Sequence, residues 1–122
     1  MKLAICTDVF ADLSYTDMLD KVKSLGIDAV EMTAGGWGAR KHCNTAELPA
    51  DAGKREAFMM ELEKRGMRIS ALNTSCNPLW PSKTGEEYKK SMYDCATLAG
   101  LLGVKKIVAM AGLPAGNETD TT

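Results

Sequence analysis

Apolar residues fall into two alternating patterns along this chain. Four short runs are apolar almost throughout: Leu3-Ala4-Ile5-Cys6, Ala29-Val30-Glu31-Met32, Ile69-Ser70-Ala71-Leu72 and Lys106-Ile107-Val108-Ala109-Met110. Runs this short with little polar alternation predict strands of a parallel sheet covered on both faces. Between them the apolar positions switch to helical spacing. Tyr15, Met18, Leu19, Val22 and Leu25 share one face, as do Phe58, Met59 and Leu62, and then Tyr88, Met92, Cys95, Ala99 and Leu102. The predicted order is β-α-β-α-β-α-β.

Helix boundaries carry their own signals. Ser14 is a good N-cap with Asp17 three residues on, and a second helix starts near Asp51. Thr84 with Glu87 reads as a capping box for the third. Gly26, Gly66 and Gly103 each stand between a helical stretch and a strand run, where a left-handed residue ends a helix.

The connections are asymmetric. Helix-to-strand turns are short, whereas the strand-to-helix segments Asp8–Leu13, Thr33–Ala50 and Thr74–Lys83 are long. In a (β/α)8 barrel the loops after the strands form the mouth of the active site and the opposite end is tight. A long loop without structure of its own suggests a functional one. The expected fold class is therefore α/β: the N-terminal fragment of a parallel (β/α)8 TIM barrel, with strands 1–4 and helices 1–3. It would be a single partial domain over residues 1–122, with 111–122 as an exposed tail after strand four. A doubly wound sheet has the same βα alternation. Strand order separates them, 1-2-3-4 for the half-barrel against 2-1-3-4.

Composition narrows the function classes. At 45% hydrophobic and 25% charged residues, the chain is of ordinary globular type. Its 15 basic and 16 acidic residues are spread without a basic block, so no nucleic-acid partner is expected. No apolar run reaches the length of a membrane span, so no membrane partner is expected either. The N-terminus has no signal-peptide core, which makes the expected location cytoplasmic. Cys6, Cys43, Cys76 and Cys95 form no C-x-x-C pair and read as reduced thiols, with Cys95 on a core face. The methionine-rich helical faces read as core filling.

Residues with chemical potential gather at the strand ends: Thr7 and Asp8; Glu31; Trp37, Arg40, His42, Cys43 and Asn44; Asn73, Ser75, Cys76, Asn77 and Trp80. Parallel strands would bring them to one rim. Each has a plainer reading. His42, the single histidine, is either a surface residue or a substrate partner and proton shuttle. Glu31 could pair with a base on helix two or point into the barrel. Asn73 and Asn77 could simply shape a turn stiffened by Pro78 and Pro81. Gly35, Gly36 and Gly38 form no dinucleotide fingerprint and give their loop close approach to neighbouring backbone. Cys6, Cys43, Cys76 and His42 match no zinc spacing, and no P-loop or nucleophile-elbow signature occurs.

The segment Gly26-Ile27-Asp28-Ala29-Val30-Glu31-Met32 resembles the second strand of the xylose isomerase-like TIM-barrel superfamily, the sugar phosphate isomerases and epimerases. His42-Cys43-Asn44, the stretch from Ile69 to Leu79, and Leu98-Ala99-Gly100-Leu101-Leu102-Gly103-Val104 look like one bacterial subgroup of it. The resemblance implies a longer barrel that moves a proton next to a carbonyl, through a metal-stabilised enediolate. It implies a divalent metal (Mn, Mg, Co or Zn) in the full-length parent, held by ligands at strands five to eight. None of those ligand positions matches here, so this chain alone is expected to bind no metal and to have no activity. Its catalytic residues stay unassigned. The positions that match the family's rim are Glu31, His42, Asn73 and Asn77, with substrate binding as the implied role, and the implied ligand is a small sugar or polyol. Strands one and four would be open edges, so the chain is expected to self-associate or to pair with a C-terminal half. The alternatives are a half-barrel binding module, or a metal-dependent lyase or hydrolase on the same scaffold.

Overall fold

Ser14 and Asp51 start the first two helices as their side chains dictate. Ser14 Oγ accepts the backbone N–H of Asp17 at 3.1 Å, and Asp51 Oδ1 that of Lys54 at 3.0 Å. Each satisfies one of the donors that a helix start leaves over. The computed structural model describes residues 1–112, and over them runs β1 (Ile5–Cys6), a 3-10 turn (Thr7–Phe10), α1 (Tyr15–Ser24), β2 (Ala29–Thr33), α2 (Ala52–Glu63), β3 (Arg68–Asn73), α3 (Lys83–Leu102) and β4 (Ile107–Val108). Of the tail expected at 111–122, all but Ala111 and Gly112 lie outside the described residues.

The Thr84–Glu87 box does not start α3. The cap is Ser82, whose Oγ accepts the N–H of Gly85 at 3.3 Å, and the helix begins at Lys83. Gly85 is buried against the Trp80 carbonyl, leaving no room there for a Cβ. The loop is folded onto the first turn, which places the cap two residues earlier than the motif suggests. Gly26, Gly66 and Gly103 all take positive φ, at 76°, 63° and 69°, and end their helices as expected.

The four strands are parallel in the order β1-β2-β3-β4. This consecutive order is that of a half-barrel. Val30, Met32 and Leu72 face the helices and pack with Met18, Leu19, Val22, Phe58, Leu62, Cys95 and Leu98 in one core. Each large apolar side chain fully buried there contributes about 1.5–3 kcal/mol. Leu25, expected on the α1 core face, is instead 52% exposed, because it is the cap residue where the helix has already ended. Between helices, the Tyr15 ring stacks on Phe58 and its hydroxyl donates to the Phe58 carbonyl at 2.8 Å. Arg65 ties α1 to α2 by bridging Asp20 and Glu61.

A register shift interrupts the β2–β3 ladder. Val30 pairs with Ile69, but Glu31 pairs with Ala71, so Ser70 is the extra residue. Its hydroxyl donates to the Val30 carbonyl at 3.0 Å. The bulge resets the alternation so that Ala71 and Asn73 share the face of Glu31 and Thr33, away from the helices. β1 and β4 are the outer strands. Ile107 and Val108 on β4 are 41% and 38% exposed, and Met110 beyond them is also open. No helix among the described residues is long and apolar enough to cross a membrane.

Candidate functional site

The C-terminal ends of β1, β2 and β3 carry a small pocket of about 200 Å³, lined by Cys6, Asp8, Thr33, Trp37, Gly38, Asn73 and Ser75. The alternation of β2 and β3 aims Thr33 and Asn73 at it. Thr7, buried at the end of β1, accepts the Thr33 N–H at 3.0 Å and so fixes the mouth of β1 to that of β2. Cys6 Sγ lies 3.6 Å from Thr33 Oγ1. Larger hollows exist, up to one of about 500 Å³ between Met59, Met67, Gly103 and Lys106, and another of about 290 Å³ lies by Met1, Gly26, Asp28 and Arg68. That one lies at the N-terminal end of the strands, which in barrels of this kind is the end without chemistry.

The β2–α2 loop forms the pocket's outer wall, and it is pinned at several points. Gly36 N–H donates to Ser91 Oγ at 2.9 Å, Trp37 N–H to the Ser75 carbonyl at 3.0 Å, and Ala39 N–H to Asp8 Oδ1 at 3.2 Å. Gly36 has φ 68° and lies against the backbone of Thr74 and Ser75, so a Cβ there would overlap the Ser75 carbonyl oxygen. Only glycine combines that conformation with that approach.

Of the four residues proposed from the sequence, the structure brings two together. Asn73 Nδ2 donates to Glu31 Oε1 at 2.5 Å, and Asn73 Oδ1 accepts the Ser75 N–H at 2.9 Å. The amide is thereby oriented, and among the described residues its second N–H has no partner. Glu31 thus points away from the helices, not to a base on α2. His42 is 7% exposed and its Nε2 donates to the Leu13 carbonyl at 2.9 Å, joining the β2–α2 loop to the β1–α1 loop. Asn77 Oδ1 accepts the Leu79 N–H at 3.2 Å within the β3–α3 loop. Of the four, Asn73 lines the pocket, Glu31 stands behind it as the partner of its amide, and His42 and Asn77 do not line it. Asp8, Trp37 and Ser75 were placed on the rim by the sequence without a role. Cys6 and Gly38 were weighed there only as a thiol and a loop glycine, and Thr33 was given no role, since their part in the pocket depends on register and loop path.

The thiols are of two kinds. Burial pushes Cys43 up to about 12, with Cys95 adding to it, and Cys95 up to about 11, with Cys76 adding. Burial raises Cys76 too, against a hydrogen bond to the Thr74 carbonyl. Cys6 alone is half-buried. A divalent metal would need three or more ligands, and among the described residues no three of His, Cys, Asp and Glu stand together. Beside the pocket, Glu31 has an amide and, across the β1–β2 register, a thiol for neighbours, so these residues do not fit the metal that the sequence resemblance implies.

No family model matches the chain. It is 47% identical over 120 residues to the uncharacterized protein YfiH of Bacillus subtilis (strain 168), a match covering 98% of this chain and 38% of that protein. The chain thus spans less than two-fifths of its relative's length. Among solved structures it superposes on the probable 3-DHS dehydratase AsbF, involved in petrobactin synthesis, from Bacillus anthracis, with a TM-score of 0.63 and 20% identity. That superposition covers 92% of this chain and 39% of the other, which is a xylose isomerase-like TIM barrel. A likeness at that identity shows the fold: four parallel strands and three helices of a TIM barrel, as the sequence led us to expect.

Proposed function

We propose that the rim pocket holds a small sugar or polyol. In this reading the chain is the substrate-holding part of a sugar or sugar-phosphate isomerase or epimerase, which moves a proton next to a carbonyl. The observation that carries the reading is the Asn73–Glu31 hydrogen bond beside the pocket. It sets an oriented amide N–H donor next to a carboxylate acceptor, the pair needed to recognise a hydroxyl that both accepts and donates. His42 and Asn77 act in this proposal as positioning residues, which shape two loops converging on the rim. The described residues offer no metal site, so what they contribute is binding and orientation. The metal and the acid–base groups belong, in this proposal, to the strands of a C-terminal half, while the open edges of β1 and β4 are covered by that half or by a second copy. A cytoplasmic location goes with this reading.

A lyase is the second reading, favoured by the structural neighbour, a probable 3-DHS dehydratase. Dehydration of a hydroxy-carbonyl compound also begins with loss of a proton next to the carbonyl, so the same pocket would serve.

The test is a titration of the isotopically labelled chain, followed by nuclear magnetic resonance, with xylose, fructose, myo-inositol and 3-DHS. The Asn73 side-chain amide and the Ser75 backbone amide should shift with the sugars in the first reading, and with 3-DHS alone in the second. Signals at both positions indifferent to all four compounds would refute the pocket's proposed role. Divalent metal added to this chain should yield no turnover.

A further inference from the structure

We infer that Trp37 is the specificity-determining wall of the rim pocket, against which the apolar C–H face of a polyhydroxylated substrate stacks; this rests on the functional reading above. Trp37 lines the pocket and is 57% exposed. A lone exposed aromatic is ordinary on a protein surface, and means little by itself. This one is held in place. Its backbone N–H donates to the Ser75 carbonyl, its neighbour Gly36 is locked against Ser75, and Gly38 lies against the Thr33 side chain with no space for a Cβ. The indole meets Tyr88 of α3 at right angles, ring centres 6.4 Å apart. That contact fixes its orientation yet leaves more than half of the residue open.

Besides Cys6 and Gly38, the remaining lining is polar: Asp8, Thr33, Asn73 and Ser75. Asp8 spends one carboxylate oxygen on Ala39, and its other oxygen has no hydrogen-bond partner among the described residues. The pocket thus sets one broad apolar surface against acceptors and an amide donor. A sugar presents the matching pair of surfaces, a patch of C–H groups and a fringe of hydroxyls. Aromatic rings add to affinity beyond area burial through such directional contacts, and a rigid indole loses little freedom on binding. Trp80 serves as an internal control. It is 46% exposed, lies in the β3–α3 loop and does not line the pocket.

The experiment follows the two indole N–H signals of the full 122-residue chain, assigned with Trp37→Phe and Trp80→Phe, during titration with xylose, fructose and myo-inositol. The Trp37 signal should move and the Trp80 signal should not. Trp37→Ala should weaken binding about tenfold, and Trp37→Phe, which keeps a ring, by only about twofold. Movement at Asn73 and Ser75 with Trp37 still, or unchanged affinity in Trp37→Ala, would overturn the inference and leave the functional reading standing. No movement anywhere would overturn both.

Discussion

Asn73 and Glu31 are 42 positions apart in sequence and 2.5 Å apart in space, joined by an amide-to-carboxylate hydrogen bond across two parallel strands. The same amide holds the Ser75 N–H through its oxygen, so one side chain links the strand pair to the start of the β3–α3 loop. Replacing it with Leu keeps the branched shape, though not the volume, and removes both contacts. Asn73→Leu should cost about 1–3 kcal/mol, since a donor and a half-buried carboxylate lose their partner. The midpoint of urea unfolding reads this. A midpoint equal to that of the wild type would mean water replaces the amide without loss, and the pair is not a fixed element of the rim.

Gly36 offers a controlled comparison with Gly26. Both have positive φ, 68° and 76°, but a Cβ at Gly26 meets nothing within 4 Å. Gly26→Ala should therefore cost only the backbone term, about 1 kcal/mol. Gly36→Ala adds a clash with the Ser75 carbonyl and should cost about 1–3 kcal/mol more, or push the β2–α2 loop off the rim. Urea midpoints of the two variants give the difference, and equal midpoints would show that the loop is not seated as described.

Alkaline stability should follow the buried thiols and Tyr15. Burial raises Tyr15 and pushes Cys43 up to about 12 from an ordinary 9.0. Below pH 9 both states keep these protons and nothing is lost. Between about pH 9 and 12 the unfolded chain releases the Cys43 proton while the folded chain retains it, so stability falls as pH rises, by at most about 1.4 kcal/mol per pH unit for one group. The unfolding temperature should decline over that window, and Cys43→Ala, though less stable near neutrality, should decline less steeply. An identical slope in the variant would show that Cys43 is not shielded. A thiol reagent should modify Cys6 in the folded chain, and Cys43, Cys76 and Cys95 after unfolding.

Much of this fold is written locally. Ser14 and Asp51 act through backbone donors three residues away, and Gly26, Gly66 and Gly103 through their own φ, so each shows in a short window of sequence. The Thr84–Glu87 motif misled because the choice between Ser82 and Thr84 is made by the packing of Gly85 on Trp80, a contact that spacing does not record. The site was legible as a rim and not as a pocket. The sequence placed Glu31, Asn73, Asp8 and Trp37 at strand ends. Which of them meet depends on the bulge at Ser70, which turns Ala71 and Asn73 to the face of Glu31. His42 illustrates the reverse: a chemically able side chain whose Nε2 donates to a backbone carbonyl that only the folded loops bring near.

The outer edge of β4 should govern association. Val108 pairs with Asn73 on one side and, among the described residues, no strand pairs with its other side. Ile107, Val108 and Met110 are exposed together at this edge. Unpaired strand groups beside apolar side chains template pairing with another chain, and a charge directed inward from an edge strand is a known deterrent. Val108 shares the register of Asn73, which faces away from the helices, so Val108→Lys would put an ammonium on the open inner face without entering the core. Sedimentation of the wild type should show association that grows with concentration, and Val108→Lys should shift it towards monomer with helix content unchanged. If the variant associates as strongly as the wild type, the β4 edge is not the contact. If the wild type stays monomeric at every concentration, the exposed edge does not drive self-association, and the proposed second-copy partner is ruled out.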